Sequence, residues 1–181
     1  LILGGSSVDV ESGVLQFGAD AQQSGATLFV LSPTTISGTI AGSGTIAGTE
    51  LVSFGPDTTF NIGFSPGTLT FNAPAQVTAA GTSALNGTPV KFEYDIPSSA
   101  TGTLVSDRLV LGTGGSLSFA SGAFFDLTVA KYSSTGTARI TDNAPHAYPF
   151  VVLDGGTLLG VTTANVGSLF AVNGANSVVV V

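Results

Sequence analysis

Ser37-Gly38-Thr39-Ile40-Ala41-Gly42 is followed at once by an identical Ser43-Gly44-Thr45-Ile46-Ala47-Gly48. Six residues with one aliphatic side chain between glycines make a short strand and a corner, and too little for a helical face. The same economy runs through the chain. In Val90-Lys91-Phe92-Glu93-Tyr94-Asp95-Ile96 apolar and charged residues alternate, so one side of that strand is core and the other is wet. Phe125-Asp126-Leu127-Thr128-Val129 repeats the alternation, and the word Gly-x-Leu-x-Phe occurs at residues 13–17, 67–71 and 115–119. Each run ends in Gly, Pro, Asn or Ser, the residues that permit turns. Asn86-Gly87 and Asn173-Gly174 carry the strongest hairpin or tight-corner signals. A weak helix pattern spans residues 76–85, with Gly81 inside it. The expected class is all-β.

Repetition this literal is hard to place in a sandwich and suits a β-solenoid, in which successive coils stack at the strand spacing of about 4.8 Å. The expectation is one β-rich domain over residues 1–181. A regular repeat ladder occupies 1–88, and 89–181 holds longer amphipathic strands and a cap, the chain widening there into longer rungs or a sandwich-like cap. Composition agrees with stacking. Of 181 residues only 15 are charged (4 basic, 11 acidic) and 25 are Gly. Like charges in adjacent rungs would repel, whereas Ser and Thr cover an outer face without that cost.

The same arithmetic excludes function classes. Four basic residues, Lys91, Arg108, Lys131 and Arg139, cannot supply the cationic face that nucleic acid requires. With 43% apolar residues the chain lies outside the composition of intrinsic disorder. No apolar run reaches the roughly 18–20 residues that span a bilayer. Without Cys there is no disulfide framework, thiolate metal site or Cys nucleophile. The sequence begins at Leu1 and contains no Met, which reads as a processed protein or an excised fragment.

Phe64-Ser65-Pro66-Gly67-Thr68-Leu69-Thr70-Phe71 resembles the Ser-Pro-Gly and Gly-x-Leu-x-Phe strand of autotransporter passengers and autotransporter-associated β-strand repeat proteins of bacterial surfaces. Ser106-Asp107-Arg108-Leu109-Val110-Leu111 is similar to that family's acidic-x-Leu-x-Val strand, followed by Gly115-Ser116-Leu117-Ser118-Phe119. Tyr148-Pro149-Phe150-Val151-Val152-Leu153-Asp154-Gly155-Gly156 looks like the aromatic-rich strand near a passenger's end. The resemblance covers residues 60–165. It implies a right-handed β-helix, export to an extracellular or bacterial cell-surface location, and fibrous, adhesive or spacer roles. It brings no catalytic motif, and this chain shows no membrane barrel.

Candidate chemical sites are sparse. His146, in Pro145-His146-Ala147, has no His or Cys near it in sequence to make a metal site or a catalytic pair. Gly42-Ser43-Gly44-Thr45-Ile46-Ala47, with Glu50 behind it, spells a dinucleotide fingerprint but precedes no helix pattern, so it reads as a repeat corner. Asp107 and Arg108 are adjacent and in a strand point to opposite faces, which suits rung capping rather than joint chemistry. Asp142-Asn143 and Asp154-Gly155-Gly156 lack the spacing of a Ca²⁺ loop and read as turns. Asn86-Gly87-Thr88 spells a glycosylation sequon and reads equally as a corner. No catalytic, cofactor or metal residues are assigned, and no enzymatic activity is expected.

The ends carry more. Leu1, Ile2 and Leu3, and Val178, Val179, Val180 and Val181, lack the Lys or Pro that blunts an exposed strand edge. Either they are cut ends of a longer solenoid, or they mate with further copies to make a homo-oligomer or homopolymer. The expected function is a non-enzymatic, self-assembling structural protein. Two alternatives stand beside it: an adhesin binding a surface glycan through Ser, Thr and Asn rows with Tyr94, Tyr132 and Tyr148, and a hexapeptide-repeat acyltransferase. The latter rests on the six-residue register Ile40, Ile46, Val52 and would need His146.

Overall fold

The computed structural model describes residues 2–3, 8–10, 14–17, 25–55, 58–62, 67–78, 87–95, 105–132 and 149–173. Strand is the main structure of these residues, and they contain almost no helix. The elements group naturally in threes: β1 (Ile2–Leu3), β2 (Val8–Val10) and β3 (Val14–Phe17), then β4 (Ala26–Val30), β5 (Thr34–Ile36) and β6 (Thr39–Gly42). The next rungs are β7 (Gly44–Gly48), β8 (Val52–Phe54) and β9 (Thr59–Ile62), and β10 (Thr68–Asn72), β11 (Pro74–Val77) and β12 (Thr88–Asp95). After the two-residue β13 (Val105–Ser106) come β14 (Arg108–Leu111), β15 (Ser116–Phe119) and β16 (Phe125–Tyr132). The last rung holds β17 (Val151–Leu153), β18 (Thr157–Leu158) and β19 (Phe170–Asn173), with the helix α1 (Val166–Leu169) before β19.

Each rung places one strand in each of three parallel sheets. Sheet A runs β1-β4-β7-β10-β14-β17, sheet B runs β2-β5-β8-β11-β15-β18, and sheet C runs β3-β6-β9-β12-β16-β19. This all-β, parallel-sheet arrangement is compatible with a β-solenoid. Among the described residues the sole antiparallel pairing is β12 with β13, Tyr94 opposite Ser106 and Asp95 opposite Val105.

Period-2 alternation becomes a set of inward columns that cross the rungs. In sheet A one column reads Leu28, Ile46, Phe71, Leu111, Leu153. In sheet B it reads Thr34, Val52, Ala75, Leu117, Leu158, and in sheet C Leu15, Ile40, Phe60, Val90, Leu127, Val172. The interior members of these columns are buried. At about 25 cal/mol per Å² of apolar surface removed from water, such columns are the main stabilising term. From the third rung onward phenylalanines fill the interior edge to face: Phe54 and Phe60 at 4.9 Å between centroids, Phe60 and Phe125 at 5.5 Å, Phe119 and Phe170 at 5.4 Å.

The tandem six-residue repeat now has a physical reason. Ile40, Ile46 and Val52 are buried on three successive faces, in sheets C, A and B. Gly42 and Gly48 close the two copies with φ of +91° and +145°. A Cβ on either would run into the carbonyl oxygen of the rung before it, Phe17 for Gly42 and Val30 for Gly48. Six residues further on from Val52, Thr58 is still buried, its hydroxyl donating to the Ile36 carbonyl oxygen. The register therefore loses its apolar residue before it loses its position.

One expectation needs correction and two are sharpened. The helix pattern at 76–85 fails where it can be checked, since Gln76 lies in β11 with Ala75 and Val77 buried on either side; residues 79–86 lie outside the described set. The described helix is α1, far from it. Lengthening after Pro89 is confined to sheet C, where β12 and β16 have eight residues each while β14, β15, β17 and β18 have two to four. Those later strands extend the same three parallel sheets, and no second sheet of a sandwich is formed among the described residues. Of the two readings of Asn86-Gly87, hairpin or corner, Gly87 fits the corner: the start of β12 pairs in parallel with β9 and β16, and a Cβ at Gly87 would strike the Phe124 ring.

Candidate functional site

A stack of parallel strands has two ends, and there the inward columns lose their cover. Leu111 is fully buried, whereas Leu153, one rung later in the same column, is 57% exposed. β17 is the edge of sheet A, so the outer side of Val151–Leu153 has no strand neighbour among the described residues. At the opposite end Leu15 is half-buried where Ile40, the next member of its column, is buried. β1 is the other edge of sheet A. Ile2 is in register with outward, exposed Phe29, and Leu3 with buried Val30. Of the residues expected to assemble, Ile2 and Leu3 are thus placed on a sheet edge. Leu1 and Val178 to Val181 lie outside the described residues.

Rows of uncharged polar residues run over several rungs on the outer faces of sheets A and B. In sheet A, Thr27, Thr45 and Thr70 stand in register on consecutive rungs, and in sheet B Thr35, Ser53, Gln76 and Ser118 do the same. At strand spacing these rows put hydroxyl or amide groups about 4.8 Å apart. Of the tyrosines of the adhesin reading, Tyr94 lies in β12 in register with Lys131 of β16, and Tyr132 in β16 in register with Asp95. Tyr148 lies outside the described residues.

Asp107 acts between rungs. It is wholly buried ahead of β14, and its Oδ1 accepts the Gly67 N–H at 2.8 Å, while the Arg108 N–H donates to the Gly67 carbonyl oxygen at 2.9 Å. Charge-assisted bonds of this kind to backbone N–H are about twice as strong as neutral ones, and this one fixes the entry of β14 onto β10. The Arg108 Nε is buried and makes no hydrogen bond. Sequence spacing pointed to rung capping by this pair but could not tell which of the two turns inward.

Other sequence candidates are dispersed. The fingerprint residues 42–47 run from the end of β6 into β7 with no helix behind them. Asp154 and Gly155 are exposed after β17, with Gly155 in the left-handed region. His146, Asp142 and Asn143, and Asn86 of the sequon, lie outside the described residues. Among the described residues no three His, Cys, Asp or Glu side chains gather where they could hold a metal ion. No helix among them is long and apolar enough to cross a membrane.

No protein-family model, no curated protein and no solved structure matches the chain.

Proposed function

We propose that this chain is a non-enzymatic structural protein, a right-handed β-solenoid of the autotransporter-passenger kind, exported to a cell-surface or extracellular location and self-assembling into a fibre. The observation that carries the reading is the open edge of sheet A, where an inward column buried over four rungs ends on the exposed Leu153. A parallel strand edge with an apolar inward row is complementary to another strand that continues the same ladder. The chain offers one at its other end, in β1. Joining β17 of one copy to β1 of the next is a heterologous contact that does not close on itself, and such contacts build filaments. The scarcity of charge supports it, since few like charges would oppose one another where the last rung of one copy meets the first rung of the next.

The test is sedimentation velocity and negative-stain microscopy of the chain at rising concentration, beside Leu153→Asp and the side-face control Phe29→Asp. Fibres from the wild type and the control, with monomer from Leu153→Asp, are expected. A wild type that stays monomeric at every concentration contradicts assembly.

A second reading, glycan adhesion, draws support from the Thr27, Thr45, Thr70 ladder. Thr45→Val with Thr70→Val should then abolish a signal on a glycan array that the wild type gives.

A further inference from the structure

We infer that residues 159–169 are an end cap, folded over the apolar interior beside sheets B and C and leaving sheet A as the uncovered edge of the last rung. In the rung before, five residues, 120–124, carry the chain from β15 to β16, closed by the Ala123 N–H donating to Ala120. The last rung uses eleven residues, 159–169, for the same step from β18 to β19. The additional residues do not form a loose excursion. Val161, Val166 and Leu169 are half-buried and pack against the buried core cluster. Phe170, directly after them, is buried with its ring 5.4 Å from Phe119 and 5.9 Å from Phe125.

Asn165 staples this segment together. Its Oδ1 accepts the Thr162 N–H at 2.7 Å and its Nδ2 donates to the Gly160 carbonyl oxygen at 2.8 Å. Its own carbonyl oxygen accepts the Ser168 hydroxyl at 2.7 Å and the Leu169 N–H at 3.1 Å. Gly160 starts the reversal at φ +72°. A polar staple on the outside with three apolar side chains on the inside is the construction of a terminal cap, which stacked repeats need so that their last interior face does not meet water. The cap's existence stands without the assembly reading. Its consequence, that growth at this end is restricted to sheet A, rests on that reading.

Hydrogen–deuterium exchange with an apolar-surface dye tests the cap in the full chain. Asn165→Ala should speed exchange of β15, β16, β18 and β19 at least tenfold and raise dye fluorescence several-fold, with β6, β7 and β8 unchanged. Leu169→Ser, which leaves the staple intact, should raise the dye signal in the same way. Faster exchange confined to 159–169 in Asn165→Ala, or no dye response from Leu169→Ser, would overturn the cap. A wild type that never assembles would defeat the fibre proposal and leave these readouts as they are.

Discussion

The rungs of residues 26–62 and those of residues 105–173 carry the same three sheets with very different amounts of chain. Ala26 lies opposite Gly44 and Thr34 opposite Val52, eighteen residues on in both cases (44 − 26 and 52 − 34). Further along, Leu69 faces Leu109 and Leu117 faces Leu158, 40 and 41 residues on (109 − 69 and 158 − 117). Strands in sheets A and B have three to five residues in the narrow part and two to four in the wide part; the additional chain sits between them. A rung is therefore defined by its inward residues and not by its length. Both parts meet that requirement with buried aliphatic residues and with phenylalanines, Phe54 and Phe60 in the narrow rungs and Phe119, Phe125 and Phe170 in the wide ones. In both, glycine corners press on the previous backbone, Gly48 on the Val30 carbonyl oxygen and Gly115 on that of Phe71.

The two parts can be compared at their glycine corners, pressed or open. Gly48→Val, which sets a β-branched side chain at φ +145° against the Val30 carbonyl oxygen, should cost more than about 4 kcal/mol and abolish a cooperative urea transition. Gly122→Ala, at φ +79° but with nothing within 4 Å of its Cβ, should cost only about 1 kcal/mol by the same measurement. Equal effects would show that contact with the previous rung does not set the cost of filling a glycine corner. In the wide region Phe125→Ala should cost about 3–5 kcal/mol, because the ring touches those of Phe60, Phe119, Phe150 and Phe170 and its loss leaves a cavity. Asp107→Ala, leaving the Gly67 N–H without its acceptor, should cost about 1–3 kcal/mol, read as a lower urea midpoint. Thr45→Val on the outer ladder should stay within about 0.5 kcal/mol of the wild type.

Strands and their inward residues were legible in the sequence, because burial of alternate side chains is a local pattern that survives any face assignment. Which face was not legible. The three Gly-x-Leu-x-Phe words fall in β3, β10 and β15, and so in sheets C, A and B. The word fixes which residues point inward, while corner length decides the sheet, and corner length leaves no periodic trace. The six-residue register fades after Val52 because the next inward position is held by Thr58, whose hydroxyl bonds the Ile36 carbonyl oxygen in place of an apolar contact. The cap was missed because its signal is a single Asn bonding to residues three and five positions earlier, with no alternation to reveal it. The open edge at Leu153 was invisible as well, since Val151–Leu153 reads like any buried strand until its place in the stack is known.

Assembly by continued stacking makes a metrical demand. Six rungs at about 4.8 Å give an axial repeat of about 29 Å per copy. Electron micrographs of the concentrated wild-type chain should show unbranched fibres with that repeat along their axis, lost in Leu153→Asp. Separate particles at all concentrations, or fibres of equal length and repeat from Leu153→Asp, would contradict it.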